Sequence, residues 1–216
     1  CLVGSEMCIR DSGTSKVHSV LKDNAGNLWI AIYQKGVMMI PAQPNSFKYI
    51  GYKSINKNII GSNCITSLCR DHEGILWIGT DNDGIYGITT ELKQRVHYAP
   101  HDSPSSVPST VFGLYEDSER NLWFGSYTNG LGRLDKKTGQ CSYLQNLTDK
   151  HGNRIQRVYD LVEDQDKRLW IATMGAGLFY YDLKTGQSVY DPKFNAATEK
   201  YKWISCLLYA GDNHLY

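Results

Sequence analysis

Four acids and four indoles recur in pairs along this chain. They are Asp23 with Trp29, Asp71 with Trp77, Asp117 with Trp123, and Asp164 with Trp170, each acid six residues ahead of its tryptophan. A recurring carboxylate invites a catalytic reading, because positioned acids transfer protons. The local strings argue for a structural role instead. Each Asp opens a turn segment such as Asp71-His-Glu-Gly74, where an aspartate can bond its own backbone two residues on and glycine supplies a positive φ. The third and fourth copies carry Arg120 and Lys167 in the glycine slot, so their turns are expected to differ.

Other chemistry-bearing residues give weaker patterns. Asp81 and Asp83 could begin a calcium loop, but the twelfth position holds Leu92 rather than a bidentate glutamate. The six histidines form no zincin motif, and there is no nucleophile elbow, phosphate loop or dinucleotide fingerprint. Cys64, Cys69, Cys141 and Cys206 form no Cys-x-x-Cys pair, and the last three fall in predicted strands, where a thiol packs as a small hydrophobe. No metal, cofactor or catalytic residue is expected.

The elements that would position these residues follow from the spacing. The tryptophans lie 48, 46 and 47 residues apart. A fixed period of this length signals stacked copies of one supersecondary unit. Twelve residues before each Trp is a β-branched aliphatic (Val17, Ile65, Val111, Val158), and nine before is Val20, Leu68, Leu114 or Leu161. Seven after is always glycine: Gly36, Gly84, Gly130 and Gly177. About twenty after is always tyrosine: Tyr49, Tyr98, Tyr143 and Tyr190. In the second copy four strand-like runs cover Ile65–Cys69, Leu76–Thr80, Gly84–Ile88 and Arg95–Tyr98. No long 3.6-residue apolar stripe interrupts them, so helices should be few.

Four short strands per period define one blade of a β-propeller. The chain reads as all-β, a partial propeller of four four-stranded antiparallel blades and the start of a fifth. The blades span about 17–63, 65–109, 111–156 and 158–202, with a stub at 204–216. This is an open arc of a seven-blade ring, which would need roughly 330 residues. The first strand should be innermost, since Ser19, Ser67, Gly113, Asp160 and Cys206 at its crowded position are all fairly small. The indole should fill the gap between neighbouring blades. In the stub, Tyr216 takes the Trp position and Ala210 the acid position.

Residues 1–12, including Leu2-Val-Gly-Ser-Glu-Met-Cys-Ile-Arg-Asp-Ser12, resemble a translated transposase sequencing adapter and are set aside as a non-native leader. Without Arg10, Glu6 and Asp11, 22 basic residues face 20 acidic ones. This near-neutral balance, with no basic block, gives nucleic-acid binding no electrostatic support. No apolar run is long enough for a membrane span.

Asp71-His-Glu-Gly-Ile-Leu-Trp-Ile-Gly-Thr80 followed by Gly84-Ile-Tyr86 resembles the two-component-regulator propeller repeat, as do 23–30, 117–125 and 164–173. Ala31 and Ala172 depart from the usual glycine two after the Trp. The resemblance implies the periplasmic sensor region of a hybrid two-component histidine kinase, itself lacking enzymatic activity. It also implies an oligosaccharide ligand, further blades, downstream immunoglobulin-like and kinase domains in the same parent, and a parent homodimer. A propeller lyase of streptogramin or polysaccharide type is the alternative.

On a propeller, ligands are expected at the loops joining strands two and three and those leading into the next blade. Sugars need planar hydrogen-bonding groups and aromatic faces. Tyr33, Asp81, Asn82, Asp83, His101, Tyr127, Asn129 and Arg154 have those chemistries and those loop positions. A lyase would draw its base and oxyanion stabiliser from His101, His151 and Arg154.

Overall fold

A computed structural model describes residues 17–32, 36–43, 60–62, 64–89, 94–149, 151–190, 192–197, 202–212 and 214–216. The adapter-like leader, Tyr33 and Tyr49 lie outside the described residues. The chain divides into two compact units, 1–58 and 59–216.

Among the described residues the first unit holds one antiparallel sheet of β1 (Val17–Lys22), β2 (Leu28–Ile32) and β3 (Gly36–Ile40), in that order; the fourth strand expected near Tyr49 lies outside the described residues. The second unit holds three four-stranded antiparallel sheets. Blade two is β4 (Ile65–Arg70), β5 (Leu76–Thr80), β6 (Ile85–Ile88) and β7 (Gln94–Tyr98). Blade three is β8 (Val111–Glu116), β9 (Leu122–Ser126), β10 (Leu131–Leu134) and β11 (Cys141–Tyr143). Blade four is β12 (Val158–Glu163), β13 (Arg168–Thr173), β14 (Leu178–Asp182) and β15 (Gln187–Tyr190). A short helix, α1 (Pro192–Ala197), and a hairpin of β16 (Tyr209–Gly211) and β17 (His214–Leu215) follow. The fold is all-β, with the four-stranded antiparallel sheets of propeller blades. Cys206, expected in a strand, lies ahead of β16.

The Asp turn is the repeat's hinge. In every copy the third residue after the Asp donates its amide to the Asp carbonyl, at 3.0 Å for Gly26 and Gly74, 2.9 Å for Arg120 and 3.2 Å for Lys167. The expectation that the Arg120 and Lys167 turns differ is overturned. Both residues take φ 69°, in the same left-handed region as Gly26 at 85° and Gly74 at 82°. The Asp carboxylate is why. Its Oδ1 accepts the amide four residues on, from Asn27, Ile75, Asn121 and Arg168, at 2.8–3.0 Å. This bonding fixes the turn whatever occupies the third position, and a non-glycine there bears the left-handed strain.

The other carboxylate oxygen takes the indole proton. Trp29, Trp77, Trp123 and Trp170 donate Nε1–H to the Asp six residues earlier at 2.8, 2.8, 2.6 and 2.7 Å. A buried indole needs such a partner. The fixed six-residue spacing was the sequence signal for this bond, beyond the turn role it suggested.

In the second unit the indoles lie between blades. Trp77 is 2% exposed and shares a core with Val107, Val111, Leu114, Leu122 and Phe124 of the blade-three segment. Trp123 is 3% exposed and packs with Val158, Leu161, Leu169 and Ile171 of blade four. The first strands approach closely, and a Cβ on Gly113 would lie 2.9 Å from the Tyr159 carbonyl oxygen. That accounts for the small residues at this register.

Candidate ligand-binding face

The end of each second-unit blade away from the Asp turns is built by three recurring devices. The first is a buried hydroxyl three residues after the Trp. Thr80, Ser126 and Thr173 are fully buried and donate to the carbonyls of Gly84, Gly130 and Gly177 at 2.9, 3.0 and 2.6 Å. Thr80 and Ser126 also accept the amides of Asp83 and Asn129, at 3.0 and 2.8 Å, so the loop between the second and third strands is braced from below.

The second device is the glycine that recurs seven residues after the Trp. Gly84 and Gly130 have φ of 73° and 78°, and a Cβ there would meet the Tyr98 or Ile155 carbonyl oxygen at 2.2 or 2.5 Å. A side chain would be excluded by space as well as by backbone conformation.

The third device is a one-residue register shift near the start of each first strand, between Val17 and Ser19, Ile65 and Ser67, Val111 and Gly113, and Val158 and Asp160. A bulge re-aims a side chain. In the second unit it places Thr66, Phe112 and Tyr159 beside a cavity of about 340 Å³, with Ser205 of the stub segment. Phe112 and Tyr159 stack there, with ring centres 4.3 Å apart and planes within 16°.

The eight sequence-derived candidates fall into distinct surroundings. Tyr33 lies outside the described residues. Asp81 is exposed and accepts the Thr110 hydroxyl at 2.9 Å. Asn82, at φ 140°, accepts the Ser62 hydroxyl at 2.9 Å. Asp83 accepts the Tyr86 hydroxyl, and its carbonyl lies 2.8 Å from His97 Nε2. Tyr86 and His97 stack at 3.9 Å. Burial and the Asp83 carboxylate push the Tyr86 hydroxyl up to about 12, so it stays a donor to that acid. Asn82 and Asp83 are therefore bound into the loop that carries Asp81.

His101 turns back on its own loop, with its amide donating to Ser106 Oγ at 2.8 Å and Nδ1 at 3.1 Å from the same oxygen. Arg154 donates to the Asn129 carbonyl at 3.2 Å. Tyr127 is the candidate that meets a larger group. It is 41% exposed, lies edge-on to Phe112 at 6.0 Å, and has the Arg157 guanidinium 5.0 Å above its ring.

Sequence reasoning missed Arg157, Trp203, Phe112 and Tyr159. Thr110, Arg157 and Trp203 occupy one register, thirteen before the Trp slot, and each segment ties to the loop of the preceding blade. Thr110 bridges to Asp81 and Trp203 to Met174, and Gln156 next to Arg157 accepts the Gly130 amide at 2.7 Å. Trp203 is 70% exposed. This position was legible in the period, but its residue types vary too much to stand out. The resulting face carries an exposed indole, a phenol under a guanidinium, and the Asp81 carboxylate. It can stack on the C–H faces of a sugar and bond hydroxyls. Among the described residues no cluster of His, Cys, Asp and Glu could hold a metal ion.

The sequence model for the two component regulator propeller matches residues 59–82, 105–128 and 154–175, the first two strands and following loop of blades two, three and four. Blades two, three and four each carry a two component regulator propeller repeat. Among solved structures it is similar to the extracellular domain of a putative hybrid two component system from B. thetaiotaomicron. The identity is 26% and the TM-score 0.62, over 82% of this chain and 23% of that one. The extracellular domain of another such system from B. thetaiotaomicron matches at 24% identity and TM-score 0.54, over 79% of this chain and 22% of that one. PorZ, a surface component of the type-IX secretion system of Porphyromonas gingivalis, matches at 18% identity and TM-score 0.55, over 93% of this chain and 30% of that one. The latter two likenesses speak to the fold. The chain spans less than a third of the length of each of these proteins. No curated protein gives a significant match. Among the described residues no helix is long and apolar enough to cross a membrane.

Proposed function

We propose that this propeller segment belongs to the extracytoplasmic sensor of a hybrid two-component system and contacts an oligosaccharide on the Tyr127 face. The parent polypeptide would carry the signal to its kinase. The observation that carries the reading is the pairing of exposed aromatic faces with a guanidinium on braced loops. Tyr127, Arg157 and Trp203 stand where a ligand can reach them, and the Phe112–Tyr159 stack lies beneath. Repeat identity and the likeness to an extracellular sensor domain support the signalling role. A bound sugar shifts a signalling equilibrium only if it contacts two states of the parent differently.

A lyase would have to work with His101 held by Ser106, Arg154 held by the Asn129 carbonyl, and His151. The test is calorimetric titration with a panel of neutral oligosaccharides against the wild-type chain, Tyr127→Ala and Trp203→Ala. Binding that weakens by about tenfold or more in either variant supports the reading, on the scale of one lost aromatic contact. Binding that is absent, or indifferent to both substitutions, refutes it.

A further inference from the structure

The first strands of blades two, three and four, with the stub segment, line the cavity of about 340 Å³. One register of the repeat supplies much of its chemistry. Eleven residues before each Trp position stand Thr66, Phe112, Tyr159 and Ser205, and all four line the cavity. Thr66, Phe112 and Tyr159 are the residues inside the register shifts of their strands. A bulge turns a side chain out of the regular alternation and is common beside functional sites. The Trp and glycine registers repeat one residue type, whereas this one changes in every copy.

The next register adds an acid. Asp160 stands where blades two and three carry Ser67 and Gly113, and it lines the same cavity. Its Oδ1 accepts the Leu161 amide at 2.9 Å and its Oδ2 the Leu207 amide at 2.8 Å. These bonds fix the carboxylate and tie β12 to the segment ahead of β16. They leave lone pairs on both oxygens, since a carboxylate has about four acceptor sites. Backbone amides bring no formal charge, so they do not neutralise the acid. Among the described residues that line the cavity none is basic.

The rest of the lining offers acceptors and ring faces. Thr66 spends its hydroxyl proton on the Val111 carbonyl, so its oxygen has only lone pairs left for a ligand. Phe112 and Tyr159 stack at 4.3 Å, and aromatic faces carry negative density. Tyr127, edge-on to Phe112 at 6.0 Å, already takes the Arg157 guanidinium over its ring at 5.0 Å. Rings in this neighbourhood thus receive cations.

We propose that the cavity binds a small organic ammonium ion, with its N–H groups on Asp160 and Thr66 and its carbon chain against Phe112, Tyr159, Leu68 and Leu114. An ammonium brings donors, no acceptor and a positive charge, which match an acidic lining of acceptors and ring faces. An anion would meet the Asp160 charge. A neutral hydroxyl would bring a donor without the compensating charge. The volume lies at the lower end of small-ligand sites, which suits a chain of a few carbons. The inference does not rest on an oligosaccharide at the Tyr127 face.

The probes are n-butylammonium, its neutral counterpart n-butanol, and butyrate, titrated into the full chain and followed by nuclear magnetic resonance. The ammonium should bind about tenfold more tightly than the alcohol, the scale of one charge-assisted hydrogen bond, and more weakly at high salt. Butyrate should not bind. Asp160→Asn keeps the shape and one acceptor, and should bring the ammonium down to the level of the alcohol. Phe112→Leu should weaken the ammonium about threefold, the scale of one cation–π contact, and leave the alcohol unchanged. It keeps both amide bonds of Asp160, so it decides the matter should Asp160→Asn loosen β12. Trp203→Ala, which tests the oligosaccharide reading, should leave the ammonium affinity unchanged, so either reading can fail without the other. Equal binding of the alcohol, binding of butyrate, an ammonium affinity indifferent to Asp160→Asn and Phe112→Leu, or its loss with Trp203→Ala would each overturn the proposal.

Discussion

Blade one and blade two build the same turn with the same bonds, and differ in what covers it. Trp29 donates to Asp23 at 2.8 Å and Trp77 to Asp71 at 2.8 Å. Yet Trp29 is 40% exposed and Trp77 is 2% exposed. Val20, Leu21, Val37 and Met39 of the first unit are likewise exposed, whereas Ile78, Ile85 and Ile88 of blade two are buried. The Asp–Trp pair is therefore a local device that forms without burial. Burial comes from a neighbouring blade, as blade three does for Trp77. The hydrogen bond orients the indole, and packing supplies most of the stabilisation, in line with the general weight of apolar burial.

The largest expected break in this comparison is truncation of the indole. Trp123→Ala should cost about 3–5 kcal/mol, the usual range for a large buried aromatic. Trp29→Ala should cost clearly less, because much of its surface is already in water. Chemical denaturation monitored by circular dichroism checks both. Equal losses would mean that the indoles do not act through burial.

Next in size is the acid. Asp71→Asn should cost about 2 kcal/mol, since buried groups lose a charged partner. Asp23→Asn should cost less. Burial alone would raise the Asp71 carboxyl. The Trp77 indole, the Ile75 amide and Lys136 outweigh it and hold the group below its ordinary 3.8. For Glu116 burial likewise works upward, and the hydrogen bonds from Lys136 and His72 outweigh it and hold the carboxyl below 4.5. Both folded values lie below the unfolded ones, so their stabilisation is complete above about pH 5 and fades as pH falls through 4 and below. Lys136 runs the other way. Burial works against its charge, but Glu116 and Asp71 raise it above 10.5, so its contribution is present below that value and lost above it. A pH-dependent melting series should show an acid limb that Asp71→Asn flattens.

Smaller still is the turn itself. Arg120→Gly and Lys167→Gly should each stabilise by about 0.5–1 kcal/mol by relieving the left-handed backbone, and Gly74→Ala should destabilise by a similar amount. Thermal melts of the three variants check the sign of each.

The smallest contrast is chemical. Burial pushes the Cys141 thiol up to about 12, whereas Cys64 and Cys206 are exposed. A thiol reagent should modify the exposed pair first and Cys141 only on unfolding.

Much of the fold was legible in spacing, because each blade repeats the same packing problem. The Trp, the glycine seven after it and the aliphatics twelve and nine before it marked β4–β6, β8–β10 and β12–β14 closely. The Arg120 and Lys167 turns were misread because local propensity was given more weight than the Asp carboxylate that closes them. Cys206 was misplaced because the fifth copy forms its strands later, around a turn at Gly211 and Asp212. The candidate face was harder. Asp83 and Asn129 look like free loop residues in sequence, but both are bound into loop scaffolding. Phe112, Tyr159, Arg157 and Trp203 come together only across blades, at registers whose residue types change from copy to copy. Single-copy chemistry of this kind leaves no periodic trace.

The most direct test of the account is hydrogen exchange of the five tryptophan indoles by nuclear magnetic resonance. The Nε1–H groups of Trp77, Trp123 and Trp170 should exchange slowly, and those of Trp29 and Trp203 quickly, with Trp29 slower than Trp203 because Asp23 holds it. If Trp77 and Trp123 exchange as fast as Trp203, the blades are not packed around their indoles and the account fails.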